Sequence, residues 1–190
     1  MRCHKRGLAA LALLALGLSQ ALGQDLYGLG RAAMPAEIAG WNIDIDRDGQ
    51  NLPAGRGTVS HGAEVFAQQC AACHGSAGEG GVGDRLVGGQ GTLASPKPIK
   101  TVGSYWPYAP TLFDYIRRAM PQNAPQSLSA DDIYAVSAYL LHLNDLLPAD
   151  ATLDATLLAA IKMPNRGMFI GDPRPDVKNP RCILDCPESK

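Results

Sequence analysis

Large aromatic side chains are scarce in this sequence, with three Phe, two Trp and six Tyr among 190 residues. So few rings leave a thin side-chain core, and something other than side chains is expected to fill part of it. Basic charge is not in excess either: 17 Lys and Arg stand against 18 Asp and Glu, and no basic stretch recurs. The electrostatic footprint of a nucleic-acid binder is therefore missing. No hydrophobic run reaches the ~20 residues that cross a bilayer. The longest, Gly7 to Leu18, has 12. There is no internal repeat and no convincing strand pair. The length suits one domain with extensions.

That one apolar run has informative flanks. Arg2, Lys5 and Arg6 precede it, and Ala21-Leu22-Gly23 follows with small residues. This is the pattern of a secretory signal peptide cleaved near Gly23, and it implies export to the periplasm. Cleavage would leave fourteen basic and eighteen acidic residues, a net charge of −4 with His neutral. Four cysteines would remain: Cys70, Cys73, Cys182 and Cys186. An even number in an exported chain suits pairing or cofactor attachment rather than a free thiol. Cys182 and Cys186 read most simply as a local disulfide.

The expected organisation is a signal peptide (1–23), an irregular arm (24–57), a main domain (58–147) and a C-terminal extension (148–190). Trp41 is the expected anchor of the arm. Asp44 to Gly49 starts like a calcium loop, but its twelfth position is Gly55 rather than Glu, so it reads as an Asp-rich turn. Ser60 suits the N-cap of a helix to about Ala72, with Phe66, Cys70 and Cys73 on one face. Residues 75–110 are rich in Gly and Pro and form a long loop, a kind that is usually functional. A helix from Thr111 to Ala119 puts Leu112, Tyr115, Ile116 and Ala119 on one face and ends at Met120-Pro121. Ser129 and Asp132 resemble a capping box opening a helix to about Asn144, with Ile133, Val136, Leu140 and Leu143 as its stripe. A short helix follows over 152–162.

Cys70-Ala71-Ala72-Cys73-His74 is the C-x-x-C-H signature of covalent c-type haem attachment. Two thiols three apart reach the two vinyl groups on one porphyrin edge, and the adjacent imidazole can face the iron. A thiol redox pair usually sits in a strand-to-helix unit, which is missing here, and Cys182 lies too far from Cys73 for a four-cysteine zinc site. One motif implies one haem. A Met sulfur as sixth ligand would raise the reduction potential and favour electron transfer, whereas an open position would favour chemistry on a bound molecule. Met120, at a helix end, and Met163, also before a Pro, are the candidate sulfurs. His61 and His142 are the remaining imidazoles.

The run from Cys70 through Tyr139 resembles a class I cytochrome c domain. Four further segments resemble the SoxD-type cytochrome subunit of periplasmic sulfane dehydrogenase. They are Tyr27 to Arg31 with Pro35 to Ile38, Val102 to Ala109, Phe113 to Pro121, and Lys162 to Asn165. The resemblance implies an all-α, single-haem class I cytochrome c fold with an N-terminal arm and a C-terminal tail. It implies Cys70 and Cys73 as thioether bonds and His74 and Met120 as axial ligands. Tyr105, Trp106 and either Arg117 or Arg118 become propionate partners. It further implies electron transfer from a molybdenum-cofactor dehydrogenase subunit to a downstream cytochrome during thiosulfate oxidation, with no catalytic residue in this chain. The alternatives are a free diffusible carrier and a haem enzyme with a displaceable sixth ligand. Many class I cytochromes place a Pro after the haem motif, whose carbonyl accepts the His N–H. Here that stretch is Gly83-Asp84-Arg85-Leu86, so another backbone carbonyl must serve, with this loop as the place to look.

Overall fold

A computed structural model describes residues 30–171. The expected signal peptide and the Cys182–Cys186 pair lie outside them. The chain divides into two compact units, one ending at Ile43 and one beginning at Asp44. In the first, α1 (Pro35–Trp41) starts with Pro at its first turn. The Glu37 carboxylate accepts from the Met34 amide at 2.8 Å and pairs with Arg31. Trp41, the expected anchor, is 88% exposed. None of its seven residues is buried, and Ile38 and Trp41, with Met34 at the N-cap, are its exposed large side chains.

The second unit is predominantly α-helical. In order it contains β1 (Arg56–Thr58), α2 (Val59–Gln69), α3 (Ala71–His74), α4 (Pro110–Ala119), α5 (Ala130–Leu143), β2 (Thr152–Asp154) and α6 (Ala155–Ala160). The two strands form an antiparallel ribbon, Arg56 opposite Asp154 and Thr58 opposite Thr152. No strand pair is expected from the sequence, because three-residue strands are too short to alternate visibly. The ribbon brings residues after 150 into the core, where Leu153, Leu158, Ile161 and Met163 are buried with Phe66, Phe113 and Leu141.

The ribbon also moves the start of α2. Thr58, the last strand residue, accepts from the His61 amide at 3.2 Å and is the N-cap in place of Ser60. Ser129 caps α5 as expected, accepting from the Asp132 amide at 3.1 Å. The Asp132 carboxylate is too short to reach back to the cap amide and takes the Ser129 hydroxyl instead. Nearly every side of α5 is covered, since α2, α4 and both strands pack on it. Phe66 meets Tyr139 at 5.4 Å between ring centroids, and Phe113 meets Tyr134 at 4.5 Å. Each such large side chain contributes about 1.5–3 kcal/mol on burial. The Asp114 carboxylate, buried in α4, accepts from the Ile45 amide at 3.0 Å and pairs with Arg118. Tyr115, expected on the buried face, is exposed and stands edge-on to Trp106 at 5.8 Å. Asp46 accepts from the amides of Asp48 and Gln50, so the 44–50 stretch is a side-chain-capped turn. Among the described residues no helix is long and apolar enough to cross a membrane.

His61 joins α2 to α5 through Asp132, Nε2 to Oδ1 at 2.8 Å. That bond raises the imidazole's pKa above the ordinary 6.5, and Glu64 adds in the same direction. The pair's stabilisation is therefore complete below pH 6.5 and lost as pH rises through the higher folded value. The group is well exposed, so water and salt limit the contribution to less than about 1 kcal/mol. The expected outcome is a melting temperature that declines slightly between pH 6 and 8. His61→Ala should remove that slope, as followed by circular dichroism.

Candidate functional site

Helix α2 ends where the attachment motif begins. Cys70 leaves helical geometry at φ −123°, and the single turn of α3 carries the rest of the motif. The break explains why the three expected residues do not share a face. Phe66 is buried, Cys70 half-buried and Cys73 exposed. Both thiols are unpaired. Burial, with Cys73 beside it, pushes the Cys70 thiol up to about 11.

The glycine-rich segment after the motif folds back on it. Gly80 donates its amide to the His74 carbonyl at 2.7 Å, and Gly83 donates to the Cys73 carbonyl at 2.8 Å. Gly83 lies flat against the imidazole: a Cβ there would stand 2.9 Å from His74 Cε1. The next residue supplies the missing acceptor, with His74 Nδ1 2.7 Å from the Asp84 carbonyl oxygen. A carbonyl only accepts, so Nδ1 carries the proton and Nε2 keeps its lone pair for a metal. The sequence required a substitute carbonyl for the absent Pro, and Asp84 is that residue.

The other candidates come from the later elements. Met120 is the C-cap of α4, its amide donating to the Ile116 carbonyl at 3.0 Å, and its side chain is half-buried against the core. Met163 is 3% exposed within the core. Trp106, Leu86, Leu128 and Tyr139, like Cys70 and Met120, are partly buried and pack against the apolar core. Tyr105 has Lys100 Nζ 4.9 Å over its ring and Phe169 edge-on at 5.5 Å, and its carbonyl accepts from Asn165. Of the two arginines at the end of α4, Arg118 is committed to Asp114, while Arg117 is half-buried. His61 pairs with Asp132, and His142 Nδ1 bonds the Leu147 carbonyl at 3.0 Å.

No three His, Cys, Asp or Glu side chains among the described residues are grouped to hold a free metal ion. A haem iron asks only for axial donors from the protein, and two free thiols beside an imidazole with an open Nε2 fit that group. Asn144, which hydrogen-bonds into the loop beside His74, is not among the residues singled out from the sequence. A lone polar residue after an apolar stripe was its only signal.

Residues 57–140 match the family model described as cytochrome C oxidase, cbb3-type, subunit III. No curated protein matches the sequence. A chain in the crystal structure of the sulfane dehydrogenase SoxCD from Paracoccus pantotrophus is 42% identical with a TM-score of 0.73. The likeness covers 84% of this chain and 82% of that one. The expected class I cytochrome c architecture is thus the one observed, and the chain belongs to the SoxD-type cytochrome c family.

Proposed function

We infer that this chain is the electron-transfer cytochrome of a sulfur-compound dehydrogenase. It would take electrons from a molybdenum-cofactor partner subunit and deliver them to a further cytochrome in the periplasm. The likeness to a sulfane dehydrogenase chain, over more than four-fifths of both chains, carries the reading. When bound, haem c supplies a one-electron couple. Cys70 and Cys73 would hold one haem by thioether bonds. His74 Nε2 and the Met120 sulfur would hold its iron, a pair that keeps the potential high. The Asp84 carbonyl keeps the His74 proton on Nδ1 and so keeps Nε2 basic. Tyr105, Trp106 and Arg117 would serve the propionates. On this reading no residue of the chain breaks a substrate bond. The arm and tail would then be docking segments for the partner, which a bare carrier domain would not need.

Co-purification at low salt tests this. The mature holo-chain should elute with its molybdenum partner, and its haem should be reduced by a sulfane or sulfite donor only when that partner is present. Reduction by the chain alone, or no complex at any salt concentration, would overturn the reading.

A further inference from the structure

We propose that Asn144 is the positioning residue that sets the hydrogen bond on His74. The inference rests on the reading of His74 as the haem ligand.

Asn144 closes α5 and is 2% exposed. Its amide is fully used. Nδ2 donates to the Leu140 carbonyl of its own helix at 2.9 Å and to the Leu86 carbonyl at 3.2 Å. Oδ1 accepts from the Gly88 amide at 3.1 Å and from Gln90 Nε2 at 3.5 Å. One buried side chain therefore grips both polar faces of the loop, at Leu86 and at Gly88.

That loop carries the acceptor for His74. The Asp84 carbonyl lies between two fastened points, Gly83 on one side and Leu86 on the other. The Gly83 amide bonds the Cys73 carbonyl, and the amides of Leu86 and Val87 both bond the Gly78 carbonyl at 2.9 and 3.1 Å. Those bonds tie the loop to its own beginning. Asn144 ties it to a helix packed into the core. The imidazole's orientation and proton are thus referred, through two peptide units, to the end of α5. A buried amide with all its bonds made specifies one geometry, because any shift strands a polar atom. Burial of a polar residue here serves orientation, since an apolar side chain of that size would fill the space without gripping the loop.

Removing the grip should lengthen the hydrogen bond from His74 Nδ1–H to the Asp84 carbonyl and make His74 a weaker electron donor to iron. A weaker donor favours the reduced iron. For holo Asn144→Ala we expect about a threefold shift of the oxidised-to-reduced equilibrium towards reduction, a rise of about 28 mV for a one-electron couple. The His74 Nδ1 proton should exchange with solvent at least about tenfold faster by NMR, which is the same loosening read at the imidazole. Asn144→Ser is the second variant. Its hydroxyl can still bond the carbonyl four residues back but is too short for the loop, so it should show both changes. Leu158→Ala, in the core but outside this network, should lower stability and leave potential and exchange unchanged. Wild-type potential and exchange in both Asn144 variants would overturn the proposal, as would an equal shift in Leu158→Ala. If His74→Gly instead left the wild-type haem spectrum intact, the ligand reading itself would fall.

Discussion

Holo Met120→Ala is expected to lose the spectral signature of sulfur ligation and to drop in reduction potential by on the order of 0.1 V or more. The effect is large because a Met sulfur stabilises the reduced iron, and an Ala methyl offers no donor in its place. The geometry favours this Met. Pro121 forces the chain out of helix at Met120, whose backbone is extended at ψ 146°, so the side chain leaves the helical register of α4. Met163→Ala is the matched comparison. That side chain is packed among core residues, so its loss should cost about 2–5 kcal/mol of stability and leave the visible spectrum unchanged. Optical spectra and redox titration of both variants decide between the sulfurs. If Met163→Ala removed the sulfur signature instead, ligation would pass to Met163.

Gly62→Ala should be among the most damaging single-methyl additions in the described residues. Alanine in place of glycine inside a helix normally gains about 1 kcal/mol. Here the added Cβ would stand 1.9 Å from the Ala135 carbonyl oxygen and 2.8 Å from Tyr139 Cβ. The first neighbour is backbone of α5 and cannot swing aside, so the helices must separate or tilt. We expect a loss of more than about 3 kcal/mol, within the range of severe core overpacking, and a low yield of holo-protein. Denaturant titration measures the first and pyridine haemochrome the second. Ala67→Gly, on the exposed side of the same helix, should cost only about 1 kcal/mol. A mild Gly62→Ala phenotype would mean that α2 and α5 do not cross as closely as described. The crossing matters for function because α2 runs directly into Cys70.

The features legible in the sequence were those with local chemistry. The Cys70 to His74 motif is complete in five adjacent residues. Ser129 caps a helix wherever it precedes such an apolar stripe, and Met120-Pro121 stops a helix by covalent geometry. The acceptor for His74 was half legible. The absence of Pro required a substitute, but every backbone carbonyl is the same group, and only folding selects Asp84. The ribbon between β1 and β2 and the grip of Asn144 join residues more than fifty positions apart. Nothing in either short segment encodes its distant partner. Trp41 and Tyr115 were misplaced for a related reason: an aromatic ring suggests burial, but exposure depends on what the fold brings beside it.

The ribbon has a kinetic consequence. Arg56 and Asp154 meet across nearly a hundred residues, a loop whose closure carries a large entropic cost and forms late. A chain emerging from its N-terminus presents Cys70 and Cys73 some eighty residues before β2 exists. During that interval the core has neither Leu153 nor Leu158 nor Met163, and the Cys70 thiol has yet to acquire its buried surroundings. The core that holds Phe66 therefore closes only when its last elements, β2 and the segment after it, are in place.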